Sequence, residues 1–358
     1  MTLSLEVLRR LPKTDLHLHL DGSLRPRTVW DLAKEQRVRL PAKTPAELNR
    51  RLRAGKTCRN LGDYLKIFDI TLSVLQERGA LERVAYELAE DCAAERIRHM
   101  EVRYSPILHQ QRGLKLPDIL EPVIHGLQRA ERDYELSTGI IICGMRNISP
   151  KRSYQLAELA VAYKDKGVVG FDLAGEEKDF PARDHRRAFR LIADHNVSST
   201  VHAGEGFGPP SIAQALHDCG AHRIGHGTRL REDPELMNYV NDHRVPLEVC
   251  LSSNVQTKTV KSMRTHPFRY YFDQGLRVTL NTDNTTVSDT TITKELGLAV
   301  RTFHLTPYQV KRILVNGFKS AFLPYAQKAR LLRQVVLEID TVFMDALPES
   351  YDRAASVL

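Results

Sequence analysis

Five side chains in this sequence carry the chemistry of a hydrolytic metal site: His17 and His19 in TDLHLHLDGSL, His202 in TVHAGE, His226 in RIGHGT and Asp283 in TLNTDN. Each follows a short apolar run of the kind that forms a β-strand. Imidazole nitrogen and carboxylate oxygen both bind zinc, at about 2.0–2.2 Å, and a catalytic ion keeps one further position for water. His17 and His19 are two residues apart, so on a strand they share one face while Leu16, Leu18 and Leu20 take the other. Two imidazoles buried together need partners, either a metal or hydrogen bonds within a core, and the spacing alone leaves both open.

If the last strand of a barrel pairs with the first, Asp283 stands beside His17 and His19, and His202 faces them across the mouth. That gives four candidate ligands. Glu205 follows His202 by three positions, behind Gly204, and can enter the pocket without binding metal. His226 lies between Gly225 and Gly227. Attack of an activated water on an electrophilic carbon needs one group to orient and deprotonate the water and an acid to protonate a nitrogen. Glu205 and His226 suit those tasks. Taken singly, Glu205 reads equally as a carboxylate at a helix N-terminus, and His226 as a polar residue of the rim.

Something must bring these residues to one place. Eight β-rich runs occur: 13–18, 99–105, 138–145, 168–173, 198–203, 223–227, 246–252 and 277–282, mostly separated by segments of helical periodicity. In Ser153–Lys166, for example, Leu156, Leu159, Ala160 and Tyr163 recur at helical spacing. This βαβα alternation predicts an α/β fold, a (β/α)8 TIM barrel with extra helices, whose strand ends carry the site. The long connection after the first strand, about residues 24–98, holds helical segments near 28–35, 45–52 and 61–75 and is expected to form a lid over the rim. Tyr64, Leu65 and Phe68 are its candidate contacts to a ligand, although the same apolar face could simply pack on the barrel. Thr306 and Pro307 open a helix expected to end near Gly317, and a second is expected over 327–343. No repeat or linker divides the chain, so one domain over 1–358 is expected.

With 358 residues, 42% hydrophobic and 27% charged, the composition is that of a globular protein. Apolar stretches such as Ile140–Cys143 are far shorter than the roughly 20 residues a membrane span needs. The N-terminal MTLSLEVLRRLPKTD lacks the apolar core of a signal peptide, so a cytoplasmic location is expected. Five cysteines, Cys58, Cys92, Cys143, Cys219 and Cys250, are odd in number and widely spaced, which points to reduced core thiols. The net charge of +8 raises the question of an anionic partner. The basic runs Asn49–Lys56 and His185–Arg190, however, are interrupted by apolar or small positions, as solvated helix faces are. Neither a nucleic-acid nor a membrane partner is expected, and the oligomeric state is not encoded in any pattern found.

The motifs DLHLHLDGSLRP, MEVRYSP, FDLAGEE, HAGEG, RIGHG, LEVCLSSNVQT and LNTDN, in that order from position 15 to 284, resemble those of adenosine deaminase among the barrel amidohydrolases. The resemblance implies one catalytic zinc held by His17, His19, His202 and Asp283. It implies that Glu205 protonates purine N1 and that His226 orients the water or takes its proton, with Asp283 sharing that role. Gly175 would offer its N–H to purine N3, and Asp21 and His19 would lie near the ribose 5′ hydroxyl. The implied reaction is hydrolysis of adenosine, or 2′-deoxyadenosine, to inosine or deoxyinosine and ammonia. The fourth strand ends in Leu173, Ala174, Gly175 and Glu176 without the lysine that bridges two metals in many barrel amidohydrolases, and no PCxxC motif of the other zinc-deaminase design is present. The family pattern is broken at Asn284, where a second Asp is usual; an Asn amide donates to purine N7 without needing protonation. Close alternatives are a deaminase of a modified adenine nucleoside such as aminofutalosine, or of an N6-methylated purine nucleotide. A noncatalytic purine- or metal-binding protein would need neither Glu205 nor His226.

Overall fold

Short runs of β-branched and aliphatic residues form eight strands: β1 (Lys13–His19), β2 (Ile97–Tyr104), β3 (Ser137–Met145), β4 (Val168–Ala174), β5 (Ser198–Ala203), β6 (Arg223–His226), β7 (Leu247–Val249) and β8 (Val278–Leu280). The structure is a computed structural model, described here for residues 3–55, 58, 61–348 and 351–352. The strands pair in sequence order, each parallel to the next. The seam between β8 and β1 is bridged by Leu18 and Asp283, through His19 N–H to Asp283 O at 2.7 Å and Asp283 N–H to His17 O at 2.8 Å. The result is the expected (β/α)8 barrel, with the backbone of one candidate ligand in its closing bridge.

Several helices start at a polar residue followed by proline. Thr44, Ser149, Asp233 and Thr306 each accept a hydrogen bond from a backbone N–H of the first turn, with Pro45, Pro150, Pro234 and Pro307 next in sequence. The side-chain oxygen satisfies a donor that has no helical partner, and proline fixes φ where no N–H is needed. Each cap contributes about 1 kcal/mol.

Several expectations shift. The seventh run is strand only over Leu247–Val249, because Leu251–Gln256 is a helix that starts from Cys250. The eighth run is strand only over Val278–Leu280, so Asp283 lies beyond it. The apolar segment 61–75 is two short helices, Leu61–Leu65 and Phe68–Leu72. The helix begun by Pro307 runs through Gly317 to Ser320, since that glycine is where helix and β1 touch: a Cβ there would lie 2.1 Å from Thr14 Oγ1. The last helix is Tyr325–Ala346.

The long connection after β1 also divides. Its final helix, Arg78–Ala94, packs on β2 and on the helix Leu116–Asp133, as a barrel helix should. Of the part before it, residues 61–72 supply the side chains that reach the cavity at the mouth, whereas Arg25 and Thr28 bond to Asp91 and Glu87 of that final helix. Of the basic runs, His185–Arg190 enters a helix that buries Ala188, Phe189 and Ile192 and turns Arg186, Arg187 and Arg190 outward. Asn49–Arg51 ends another helix, and Lys56 lies outside the described residues. Cys92, Cys143, Cys219 and Cys250 are buried thiols. Among the described residues no helix is long and apolar enough to cross a membrane.

The mouth segment is tied down by a buried imidazole. His109, after β2, donates from Nδ1 to Leu75 O at 2.9 Å, and burial pushes its pKa down to about 4. The unfolded chain protonates this histidine near 6.5, so unfolding takes up a proton between pH 6.5 and 4. Stability therefore falls as the pH drops through that window, by about 3 kcal/mol for this group. Urea unfolding at pH 7 and 4.5 is expected to show a smaller loss for His109→Gln than for the native chain; equal losses would contradict the assignment.

Candidate active site

At the C-terminal ends of the strands the imidazoles gather. The His17 ring centroid lies 4.4 Å from that of His202, 4.7 Å from His226 and 5.4 Å from His19. His19 Nε2 stands 3.2 Å from His202 Nε2 and 3.4 Å from Asp283 Oδ1, and His17 Nε2 is 3.6 Å from the same oxygen. The ligand atoms of His17, His19 and His202 all lie within 4.8 Å of one another.

The outer nitrogens set which inner ones carry lone pairs. His17 Nδ1–H donates to Glu248 Oε2 at 2.8 Å and His202 Nδ1–H to Asp172 Oδ2 at 2.9 Å. Each Nε2 is then an unprotonated donor atom aimed at the centre, and His17 Nε2 is buried with no hydrogen-bond partner. Converging lone pairs repel unless a cation lies between them, so the set fits a metal ion. Cys250 Sγ is also within 4.8 Å of His17 and Asp283, but it donates to Glu248 O and burial pushes its thiol up, which leaves it protonated.

Below the ligands, ionised groups fill the barrel interior where aliphatic layers are usual. Arg103 donates to Asp172 Oδ2 and Glu248 Oε2, each at 3.0 Å, and to Leu16 O. Arg223 pairs with Glu248 Oε1 at 2.6 Å and with Glu101 Oε2. Burial opposes ionisation of Asp172, but His202 and Arg103 outweigh it and hold the carboxyl well below the ordinary range. Two guanidiniums against the three carboxylates Glu101, Asp172 and Glu248 leave one negative charge, which favours a cation above. A bare histidine cluster would lack that bias.

His226 and Asp283 both adopt left-handed backbone, φ 62° and 61°. Such conformations cost of order 1–3 kcal/mol and persist where surroundings enforce them. Gly225 leaves room for His17, whose Cε1 would be 3.1 Å from a Cβ at that position. Glu205 is presented by Glu177, whose carboxylate accepts N–H bonds from Gly204, Glu205 and Gly206 at 2.9, 2.8 and 2.7 Å. Burial first, then Asp283 and Glu177, push the Glu205 carboxyl well above its ordinary range. This shift favours the neutral carboxyl, the form that can act as an acid. Thr257 Oγ1 donates to Glu205 Oε1 at 3.3 Å, and His226 Nε2 lies 3.5 Å from Oε2.

A cavity of about 250 Å³ opens beside these groups, and His19, Asp21, Gly175, His202, Glu205, His226, Asp283 and Asn284 all reach it. So do Tyr64, Leu65 and Phe68 from the mouth segment. Every site residue expected from the sequence except His17, which is sealed beneath the others, therefore lines one space. Asn284 is already engaged, its Nδ2 donating to Tyr64 OH at 2.9 Å, while that hydroxyl lies 2.8 Å from Ser288 Oγ. Asp172, Glu248, Arg103 and Glu177 were not singled out from the sequence. An available signal was an ionisable side chain inside an otherwise apolar strand, as in FDLA, LEV and MEVRY.

Fold and site together define a metal-dependent barrel hydrolase. The family model described as adenosine deaminase matches residues 12–338. The chain is 40% identical over 332 residues to a probable adenosine deaminase of Dictyostelium discoideum, aligning 93% of this chain with 43% of that protein. It is 35% identical to an adenosine deaminase of Clostridium kluyveri, covering 94% of this chain and 97% of that one. Among solved structures, an adenine deaminase from Arthrobacter aurescens superposes with a TM-score of 0.86 at 26% identity, over 91% of this chain and 98% of that one. An N6-methyl-AMP deaminase from Arabidopsis thaliana gives 0.82 at 27% identity, over 97% and 100%. The chain belongs to the adenosine deaminase family of hydrolytic deaminases.

Removing the carboxylate behind a metal-bound histidine loosens that ligand's orientation. Asp172→Asn is expected to weaken zinc binding about 10- to 100-fold in a chelator-competition titration. An unchanged affinity would show that Asp172 does not orient His202.

Proposed function

We propose that this enzyme hydrolyses adenosine and 2′-deoxyadenosine to inosine and deoxyinosine, with release of ammonia, as a step in purine salvage. One zinc ion per chain is held by His17, His19, His202 and Asp283. The reading is carried by Glu205: a carboxyl whose neutral form is favoured by burial, on the wall of a purine-sized cavity, beside a converging ligand set. A noncatalytic binder would need no such acid.

When bound, the ion supplies the Lewis acidity that makes a water nucleophilic near neutral pH. Glu205 gives its proton to N1 of the purine, which draws electrons from C6. The water oxygen bonds to C6 and the C6–N6 bond breaks. The two protons of the water end on the leaving amine, released as ammonia, and on Glu205, which is thereby restored. Gly175 N–H toward N3 and the second amide hydrogen of Asn284 toward N7 complete the purine contacts in this proposal. His19 and Asp21 are proposed beside the ribose 5′ hydroxyl. Tyr64, Leu65 and Phe68 belong to a lid closing one barrel domain.

The lining supports a nucleoside over a nucleotide. Among the described residues it contains no Lys or Arg, and it includes Asp21 and Asp69. Among the described lining residues a 5′-phosphate would meet no counter-charge and would lie close to carboxyl groups, which disfavours an N6-methylated nucleotide. Asp21 Oδ1 and Ser105 Oγ are buried in this lining without partners. They offer hydrogen bonds to sugar hydroxyls that free adenine lacks. Cytoplasmic residence is part of the proposal, in keeping with buried thiols at Cys92, Cys143, Cys219 and Cys250.

Glu205→Gln is expected to keep its zinc and lose adenosine turnover by at least about 100-fold, since the amide cannot give up a proton. Activity near that of the native enzyme would remove Glu205 from the acid role. Asp283→Ala is expected to lose both bound zinc, by elemental analysis, and activity; a variant that keeps a full complement of zinc would show the ligand set to be wrong.

A further inference from the structure

His226 was open to two roles, orienting the water or taking its proton, and they require opposite protonation of Nε2. The choice is made outside the site. The backbone N–H of Phe268 donates to His266 Nδ1 at 3.1 Å, so that nitrogen must present its lone pair. His266 Nε2 then carries the hydrogen, and it faces Asn254 Oδ1 at 3.1 Å. With its oxygen occupied by a donor, Asn254 turns its amide nitrogen to His226 Nδ1, at 2.9 Å. His226 Nδ1 must accept. The order cannot be reversed, because a hydrogen on His266 Nδ1 would meet the N–H of Phe268 head on.

From these contacts we infer that Asn254 and His266 are positioning residues that fix His226 in its Nε2–H tautomer, so that His226 donates a hydrogen bond into the site and does not accept the water's proton. The inference rests on the proposed reaction only for its catalytic consequence. His226, Asn254 and His266 are 1%, 0% and 4% exposed, so no bulk water competes for the chain of bonds. Burial holds His266 down to about pKa 3, in accord with a neutral ring. From Nε2, His226 can reach Glu205 Oε2, 3.5 Å away, or an oxygen between Glu205 and the ligand set. The proton leaving the water then goes to another group, and Asp283 supplies the carboxylate. Asn254 lies on the helix Leu251–Gln256 and His266 just before Pro267, so the two links come from separate segments beyond β7.

The test reads the tautomer directly. In histidine-labelled, zinc-loaded enzyme, long-range 1H–15N correlation is expected to show His226, identified by its loss in His226→Gln, with protonated Nε2 and unprotonated Nδ1. Asn254→Asp presents acceptors only and is expected to move the hydrogen to Nδ1. It should lower kcat for adenosine by about 100-fold with zinc content and KM little changed. His266→Leu is expected to lower kcat about 10-fold, and His266→Gln, whose amide can still donate to Asn254, to recover most of it. A native spectrum with hydrogen on Nδ1 would overturn the inference even if every variant misfolds. So would native-like kcat in a folded Asn254→Asp. If the native spectrum shows Nε2–H but adenosine is not turned over, the substrate assignment fails and the tautomer assignment stands.

Discussion

The whole site depends on one buried cation. Arg103, fully enclosed, ties together Asp172 on β4, Glu248 on β7 and the backbone of β1 at Leu16. Taking a guanidinium and two carboxylates out of water costs several kcal/mol per ion, and only close pairing on every side offsets it. Here the pairing does more than offset that cost. Asp172 Oδ2 and Glu248 Oε2, the same oxygens that accept from Arg103, also hold the outer nitrogen of a site histidine, so the interior charges set the ring orientation of His202 and His17. A barrel packed with leucine and valine would be cheaper to fold and could not aim these rings.

The same logic of second partners runs across the mouth. Glu177 holds three successive N–H groups and thereby places Glu205, whose own carboxyl is pushed toward its neutral form by burial and then by the neighbouring carboxyls of Asp283 and Glu177. On the far side, the neutral rings of His266 and His226 are set through Asn254. The proposed acid, orienting donor and ligands are thus steered to different protonation although they are neighbours, by what stands behind each. Tyr64, bonded to Asn284 and near Ser288, carries the mouth segment onto this layer. The proposed lid and the proposed purine end of the cavity are therefore joined by a hydrogen bond.

How much of this could be read from the sequence follows from which interactions are local. His17 and His19 were legible because a two-residue spacing on a strand puts both on one face, and Glu205 because a glycine turn follows His202. Eight alternating units predicted the barrel. The strand lengths at β7 and β8 were not legible: the run 246–252 is apolar enough for a strand, yet Leu251–Gln256 is helical, which brings Asn254 to His226. Asp172, Glu248 and Arg103 matter through contacts across the barrel, 69 and 145 residues apart for Arg103, and no local pattern encodes such pairs. The left-handed backbone of His226 and Asp283 was equally hidden, since neither residue type demands it.

The central claim is that this site takes an adenine nucleoside, with a sugar but without a phosphate, and adds water at C6. The direct measurement is the rate of ammonia or methylamine release by zinc-loaded enzyme given adenosine, 2′-deoxyadenosine, adenine, aminofutalosine or N6-methyl-AMP at equal concentration. Adenosine and 2′-deoxyadenosine are expected to exceed adenine and N6-methyl-AMP by at least about 100-fold in kcat/KM, the scale set by unpaired polar groups and an uncompensated phosphate. A preference for N6-methyl-AMP or for free adenine would contradict the account.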